Sequence, residues 1–384
     1  MNKTICVITS SRADYGLLKL VIKEIMHNSH LTLKLVATGM HLSPKYGNTF
    51  QEIIQDGYLI DKKIEILMEE NNAKGVSESI GLGISKFADV FEEMKPDLVL
   101  ILGDRFEIFA AAIAAHVALI PIAHIHGGEL TEGAIDDAFR HSITKMSQLH
   151  FVSTQEYARR VIQLGEHPSR VYNTGALGID SASKLKLLKK NALEAKLNFK
   201  FGKRNLLVTY HTVSLESEYT HDQIQELLSA LKELRETNLL FTLPNADPGS
   251  NIISKAINEF VAEHKNAKVF TSLGQLVYFS CMEIADGVIG NSSSGILEAP
   301  FFRKGTVNIG ERQRGRVQSE SVINCSVNKH DILSSIETLY SEEFQKKLKV
   351  FENPYGLTGA SRKIVEVLEK LPKQQMLQKR FYNL

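Results

Sequence analysis

The chain has 384 residues, 43% of them hydrophobic, with 45 basic against 44 acidic side chains and a net charge of +1. That length asks for two domains, and the apolar share is ordinary for a globular protein. The charge balance excludes a dominant role on nucleic acid or a membrane surface, while leaving room for local basic clusters such as Arg312, Arg314 and Arg316. The three cysteines, Cys6, Cys281 and Cys325, are scattered and form neither a zinc spacing nor a disulfide framework. They are expected to be reduced core residues of a cytoplasmic protein. Met1-Asn2-Lys3 leads directly into a strand-like run, so no signal peptide is expected, and no apolar run reaches transmembrane length.

Short apolar runs alternate with helical patterns from the first residues on. Ile5-Cys6-Val7-Ile8 reads as a buried strand, followed by an amphipathic helix from about Asp14 to Met26. Leu33-Lys34-Leu35-Val36 is the next strand, and the pattern from Gly75 to Met94 is helical and stops before Pro96. Leu98-Val99-Leu100-Ile101-Leu102 is a continuous apolar strand of the kind a parallel sheet covers on both faces. An Ala-rich helix from Phe106 to His116 precedes extended structure at Ile120-Pro121-Ile122-Ala123. Helices at Ile135–Met146 and Gln155–Leu164 flank a strand at Phe151-Val152.

After a charged stretch around Lys184–Lys203 the alternation restarts. Strands are expected at Leu206–Thr209, Leu239–Thr242, Val269-Phe270, Gly287–Ile289 and Thr306–Ile309, with helices at Thr220–Glu236 and Ser250–His264. Two strand–helix series predict an α/β protein of two doubly wound, Rossmann-like domains. We place the first over residues 1–177 and the second over 178–359, with the helix Ala360–Leu371 and the tail to 384 packing back on the first. Ligands of such sheets sit at the carboxyl ends of strands, so the active site is expected in a cleft between the domains.

Candidate chemistry gathers at those strand ends. Gly290-Asn291-Ser292-Ser293-Ser294-Gly295 follows the strand Val288-Ile289, with Ile296–Ala299 as the first turn of a helix. Small residues and free N–H groups there suit a phosphate or diphosphate, and Glu298 one turn on suits the hydroxyls of a ribose. A plain serine-rich helix cap reads the same spacing. Ser10-Ser11-Arg12-Ala13-Asp14-Tyr15-Gly16 follows the first strand, where Arg12 is either a diphosphate clamp or a solvated residue of a helix entry. Gly103-Asp104-Arg105 ends the most apolar strand, so Asp104 is an acid–base candidate or half of a structural ion pair.

His124-Ile125-His126-Gly127-Gly128-Glu129 precedes Asp136-Asp137 and Arg140-His141. On a strand His124 and His126 would share a face, but nothing nearby completes a metal site, and we assign none. Two carboxylate clusters beside a loop suit acid–base work on a sugar, with Asp137 read as a helix start. His211, in Tyr210-His211-Thr212, could touch a phosphate or shuttle a proton. Pro244-Asn245-Ala246-Asp247 and Arg312-Gln313-Arg314-Gly315-Arg316 occupy equivalent loops. The chain lacks G-x-G-x-x-G and the Walker G-x-x-x-x-G-K-[ST], which argues against hydride transfer with a nicotinamide and against ATP hydrolysis.

In order along the chain stand S-R-A-D-Y-G, G-M-H with Y-G-N-T, L-G-D-R, H-I-H-G-G-E, S-I-T-K-M-S, G-N-S-S-S-G and R-Q-R-G-R. Together they resemble the hydrolysing UDP-N-acetylglucosamine 2-epimerases of bacterial sialic-acid synthesis, from Ile5 to the Phe381-Tyr382 tail. The resemblance implies a glycosyltransferase-B-like fold, UDP in the cleft, and release of UDP and N-acetylmannosamine. It implies that Arg12, Arg105, Ser292, Ser293 and Arg312 surround the diphosphate and that Glu298 holds the ribose. It also places Asn245 and His211 along the nucleotide sugar and gives Asp104 and Asp136 catalytic roles. Where relatives carry Glu this chain has His126, so either His126 or Glu129 takes that acid–base role.

The chemistry is an elimination to a glycal followed by hydration, which asks for two acid–base groups and no cofactor or metal. The expected partner is the small-molecule substrate UDP-N-acetylglucosamine, with no nucleic acid or membrane, in a homo-oligomer, dimer or tetramer. Alternatives are a GDP-sugar-specific or non-hydrolysing 2-epimerase, a glycosyltransferase of the same fold class, or a non-catalytic nucleotide-sugar-binding protein. The presence of both Asp104 and Asp136 favours an enzyme.

Overall fold

The structure, a computed structural model, describes the chain except for Met1, Asn71, Gly133, residues 214–217 and 245–248, Leu357 and residues 372–376. Two compact units emerge. One comprises Met1–Glu129, Asp136–Ser181 and Tyr355–Leu384, and the other comprises Leu130–Ile135 and Ala182–Pro354. The short segment Leu130–Ile135 thus groups with the second unit although both its flanks belong to the first.

The first unit is built on seven strands: β1 (Lys3–Thr9), β2 (Leu31–Thr38), β3 (Lys62–Ile64), β4 (Leu98–Leu102), β5 (Ile122–Ile125), β6 (Leu149–Val152) and β7 (Val171–Asn173). Their order is β3-β2-β1-β4-β5-β6-β7, and the pairings are parallel. The second unit carries β8 (Arg204–Thr209), β9 (Thr237–Thr242), β10 (Ala267–Phe270), β11 (Gly287–Gly290), β12 (Gly305–Ile309) and β13 (Val322–Cys325). These are also parallel, in the order β10-β9-β8-β11-β12-β13.

The continuous apolar runs follow from burial on both faces. In β1, Ile5 and Val7 enter one core and Cys6 and Ile8 the other; in β4, Leu98 and Leu100 split likewise from Val99 and Ile101. The second sheet repeats this with Leu206 and Val208 against Leu207, and Leu239 and Phe241 against Leu240. Each sheet also reverses its direction of winding once. In the first the reversal lies between β1 and β4, and in the second between β8 and β11. There the outgoing chains diverge and open a crevice at the carboxyl ends of the two strands.

Several expected boundaries shift for identifiable reasons. The strand expected at Ile120-Pro121 begins only at Ile122, because Ile120 N–H is used to close the preceding helix on Ala115 O. The charged stretch around Lys184–Lys203, for which no element was expected, includes a helix at Lys190–Leu197. Leu193 and Leu197 of that helix are buried, and its Glu194 accepts from the Phe201 N–H. Helices at Gly274–Ile284, Lys329–Tyr340 and Glu342–Val350 were not foreseen. The first is apolar nearly all round, which hides its period.

The terminal helix Ala360–Lys370 buries Ile364, Val365 and Leu368 in the core of the first unit, and Lys3 Nζ donates to Leu368 O and Leu371 O at 2.6 Å. Beyond it Lys379 donates to both oxygens of buried Glu166, and Tyr382 N–H to Gly165 O. Among the described residues no helix is long and apolar enough to cross a membrane.

Candidate active site

Arg12 follows β1, Asp104 and Arg105 follow β4, His211 follows β8 and Ser292 and Ser293 follow β11, the four strands that flank the reversals, while His126 and Glu129 follow β5 and Arg312 follows β12. After β1, Ser11 caps the helix Arg12–His27 in a reciprocal capping box with Asp14. Asp14 is a buried knot: its carboxylate accepts from Thr9 Oγ1 at 2.7 Å and from Ser10 N, Ser10 Oγ and Ser11 N at 2.9 Å. Buried His41 seals it, donating from Nε2 to Thr9 Oγ1. Arg12 therefore leaves the loop in a fixed direction, partly exposed, with Glu52 at 3.5 Å.

After β4, Gly103 takes φ +81, and the next two residues part ways. Asp104 forms an ion pair with Arg140, whereas Arg105 places Nε and Nη2 on Glu107 at 3.1 and 3.0 Å. Burial pushes the Glu107 carboxyl upward, and the Arg105 guanidinium opposes that shift.

After β5 the expectation for the two histidines needs correction. β5 ends at Ile125, and His126 lies beyond it at φ +66, so His124 and His126 do not share a strand face. His124 is a core residue. Its Nε2 donates to Gly103 O at 2.8 Å, Nδ1 faces Thr144 Oγ1, and burial pushes its pKa down to about 3. His126 instead turns its Nδ1 to within 3.3 Å of Glu129 Oε1, and Ser153 Oγ donates to the same oxygen. Arg140 Nη1 lies 3.7 Å from Glu129 Oε2. One guanidinium thus stands beside both Glu129 and Asp104. Burial works against its charge, but the two carboxylates hold it firmly protonated.

Asp136 opens the helix Asp136–Met146, one turn before Arg140, and Asp137 pairs with His141 at 3.4 Å. Among the described residues no group of three His, Cys, Asp or Glu side chains is arranged to hold a metal ion.

In the second unit Asn291 is the organiser. Fully buried, it accepts from the His211 N–H at 2.7 Å and donates to His211 O at 2.9 Å, tying the end of β8 to the end of β11. Its own carbonyl accepts from Arg312 Nη1 and Gln313 Nε2 of the loop after β12. His211 is held neutral: burial, then the Arg312 charge, pushes it well below the usual histidine range. Gly290 cannot be replaced, since a Cβ there would meet Thr209 O at 2.0 Å.

Ser292 caps a helix of only five residues, Ser293–Leu297, and half-buried Ser293 and Ser294 follow it. Glu298 is the C-cap of that helix, buried, rather than one turn into a longer one. Asn245 lies outside the described residues.

Asn291, Gln313, Glu107 and Arg140 were not assigned roles from the sequence. Arg140 had a signal, since it stands four residues after Asp136 on one helix face. Asn291 had only its place in the serine run.

Two parallel sheets, each with charged and hydroxyl side chains after strands at or next to its reversal point, define a doubly wound α/β class, whose ligands sit at such points. The UDP-N-acetylglucosamine 2-epimerase family profile matches residues 23–369. The chain belongs to that family of enzymes, which work as 2-epimerases of UDP-sugars. It is 41% identical to the GDP/UDP-N,N'-diacetylbacillosamine 2-epimerase (hydrolyzing) of Campylobacter jejuni, over 100% of both chains. It is 39% identical to the polysialic acid biosynthesis protein P7 of Escherichia coli, over 97% of this chain and 95% of that one. The fold matches, with a TM-score of 0.82, a UDP-N-acetylglucosamine 2-epimerase of Neisseria meningitidis bound to UDP-N-acetylglucosamine. That match has 23% identity and covers 96% of this chain and 100% of the other.

Proposed function

We propose that the protein is a hydrolysing 2-epimerase of a UDP-linked 2-acetamido sugar, turning the nucleotide sugar and water into UDP and the free 2-epimer. With UDP-N-acetylglucosamine the product is N-acetylmannosamine, the entry compound of sialic acid. The observation that carries the hydrolysing reading is the full-length, 41% identity to a relative named as hydrolysing. The sialic-acid branch draws on the likeness to the polysialic acid protein.

The chemistry assigns each group a task. C2–H is not acidic in the substrate, but cleavage of C1–O gives C1 oxocarbenium character and acidifies it. A carboxylate, Asp104 or Asp136, takes the C2 proton, the C2–H electron pair forms C1=C2, and UDP leaves with the C1–O pair. Arg12, Arg312 and the hydroxyl and N–H groups of Ser292 and Ser293 stabilise the leaving diphosphate without reorganising. Glu298 accepts from the ribose hydroxyls. A second group, His126 or Glu129, then delivers a proton to the opposite face of C2, water adds its hydroxyl at C1 and returns its other proton to that group, and the first carboxylate and the departing UDP release the proton taken from C2 to solvent. Neutral His211 is suited to donate a hydrogen bond beside Arg312, not to add positive charge.

A second substrate, UDP-N,N'-diacetylbacillosamine or its GDP counterpart, is favoured by the name of the Campylobacter relative. The experiment is to incubate the protein with UDP-N-acetylglucosamine, UDP-N,N'-diacetylbacillosamine and the GDP counterpart, following nucleotide release and the sugar by NMR. Free 2-epimer with stoichiometric nucleotide is expected from a UDP-sugar. A nucleotide-linked 2-epimer, or no reaction with any of them, would overturn the hydrolysing reading.

A further inference from the structure

The loop after β12 is occupied on two sides. Its first half, Arg312 and Gln313, reaches Asn291 O at the head of the serine run. Its second half holds Leu130, Thr131 and Glu132. Arg316 Nε donates to Leu130 O at 3.0 Å and Arg316 Nη2 to Thr131 Oγ1 at 3.1 Å, while Arg314 pairs with Glu132 at 3.3 Å. Gly315 fits against the same segment. At φ +78, a Cβ on it would lie 2.7 Å from Leu130 Cδ1 and 2.8 Å from Glu132 Oε1. Turn hydrogen bonds from Arg314 N–H to Glu311 O and from Arg316 N–H to Gln313 O stiffen the loop between its two ends.

The clamped segment has a particular place in the chain. Glu129, hydrogen-bonded by Ser153 and beside His126, immediately precedes it, and Asp136 immediately follows it. The residues assigned to the second proton transfer and to C2–H removal are therefore joined by a stretch that the nucleotide-side loop holds.

We infer that Arg316, with Gly315 as its seat, is a positioning residue. It fixes Leu130 and Thr131, and through the chain continuing from them the backbone of Glu129 on one side and of Asp136 on the other. This rests on the function proposed above. The general physical reason is that proton transfer is far more sensitive than ligand binding to displacements of an ångström, which cost roughly 10- to 100-fold in rate.

The test uses full-length Arg316→Ala, Arg316→Lys and Gly315→Ala, with circular dichroism to establish folding. We expect kcat for UDP release to fall roughly tenfold or more in Arg316→Ala. The calorimetric UDP affinity should stay within about twofold of wild type. Arg316→Lys should recover part of kcat, since it retains one donor to Leu130 O. Hydrogen–deuterium exchange over residues 127–137 should quicken in Arg316→Ala and Gly315→Ala while exchange over 288–298 does not change. Unchanged kcat, or UDP affinity falling in step with kcat, would overturn the inference, the second by making Arg316 a nucleotide ligand. Unchanged exchange at 127–137 would overturn it as well. If the wild-type protein releases no nucleotide from any sugar substrate, the function proposed above fails instead, and the exchange comparison still reads the clamp.

Discussion

Arg140 and Asp104 form an ion pair between the helix Asp136–Met146 and the carboxyl end of β4. The guanidinium is buried and also faces Glu129, so one cation sets the spacing of two carboxylates assigned to proton transfer. Removing it takes one shared cation away from both. Arg140→Gln is expected to lower kcat by roughly 100-fold, the scale of losing a proton-transfer group, with UDP affinity little changed. Arg140→Lys should fall between, because an ammonium reaches one carboxylate but not both in the guanidinium's geometry. Steady-state kinetics with calorimetry checks this; normal kcat in Arg140→Gln would separate the pair from catalysis.

Asp104→Asn and Asp136→Asn should each lose most turnover, on the order of 100-fold or more, while still binding UDP. The motivation is their placement after β4 and at the start of the helix that follows β5. Near-normal turnover in both would remove them from the mechanism.

On the nucleotide side, Ser292→Ala with Ser293→Ala, or Arg312→Ala, should weaken UDP binding by about 1.5–3 kcal/mol per charged hydrogen bond lost. Glu298→Gln should weaken UDP more than pyrophosphate, because the carboxylate is assigned to the ribose. Calorimetry that finds equal weakening of both ligands would count against that assignment. Asn291→Ala is a different test. It breaks the paired bonds to His211 and should destabilise the fold by roughly 1–3 kcal/mol in urea titration, since buried backbone groups lose their partner.

Much of the fold was legible in the sequence because parallel strands buried on both faces leave unbroken apolar runs, as in Leu98–Leu102, and the candidate site residues are those that follow such runs. What the sequence hid was cross-chain. Nothing in the order of residues shows that Arg105 lies on Glu107 while its neighbour Asp104 pairs with a residue 36 positions away. Nor does it show that His126 adopts φ +66 and turns off the strand toward Glu129, which a period-two reading of His-Ile-His misses. The extra helices escaped because Gly274–Ile284 is apolar on nearly every side, while Lys190–Leu197 looks like a charged linker until Leu193 and Leu197 are seen buried.

His124 and Glu166 are two of the buried groups that shape the acid limb of stability. His124 is depressed by burial from 6.5 to about 3, so the unfolded chain binds its proton first. Its contribution is intact above pH 6.5 and is lost as pH falls toward about 3. For Glu166, burial works to raise the pKa, but hydrogen bonds from His150, Lys145 and Lys379 overcome it and hold the carboxyl at about 2 against 4.5. Its contribution is present above pH 4.5 and fades between there and about 2. The melting temperature should therefore decline from about pH 6.5 downward, more steeply below 4.5. His124→Gln should flatten the upper part of that decline and Lys379→Met should lessen the lower part. Unaltered slopes in both variants would assign the acid limb to other groups.

The last prediction concerns the origin of two atoms in the product. If the reaction is hydrolytic elimination and hydration, the proton placed on C2 and the oxygen placed on C1 both come from solvent. In deuterated, oxygen-18 water the freshly released 2-epimer should carry deuterium at C2 and oxygen-18 at C1, read early because a free sugar exchanges that oxygen on ring opening. UDP should carry no solvent oxygen, because its bond breaks on the carbon side. Loss of the group for the second step should let the unsaturated sugar escape together with UDP, whereas loss of the first-step base should prevent UDP release. His126→Gln and Glu129→Gln distinguish which of the two acts on the sugar, and their 3.3 Å contact means that both are expected to lower the yield of saturated product. The variant that leaks more glycal per UDP released identifies the proton donor, since the other affects it only through orientation. Solvent oxygen in UDP would replace C1–O cleavage with attack at phosphorus, and no assignment of Asp104, Asp136, His126 or Glu129 to C2 would survive it.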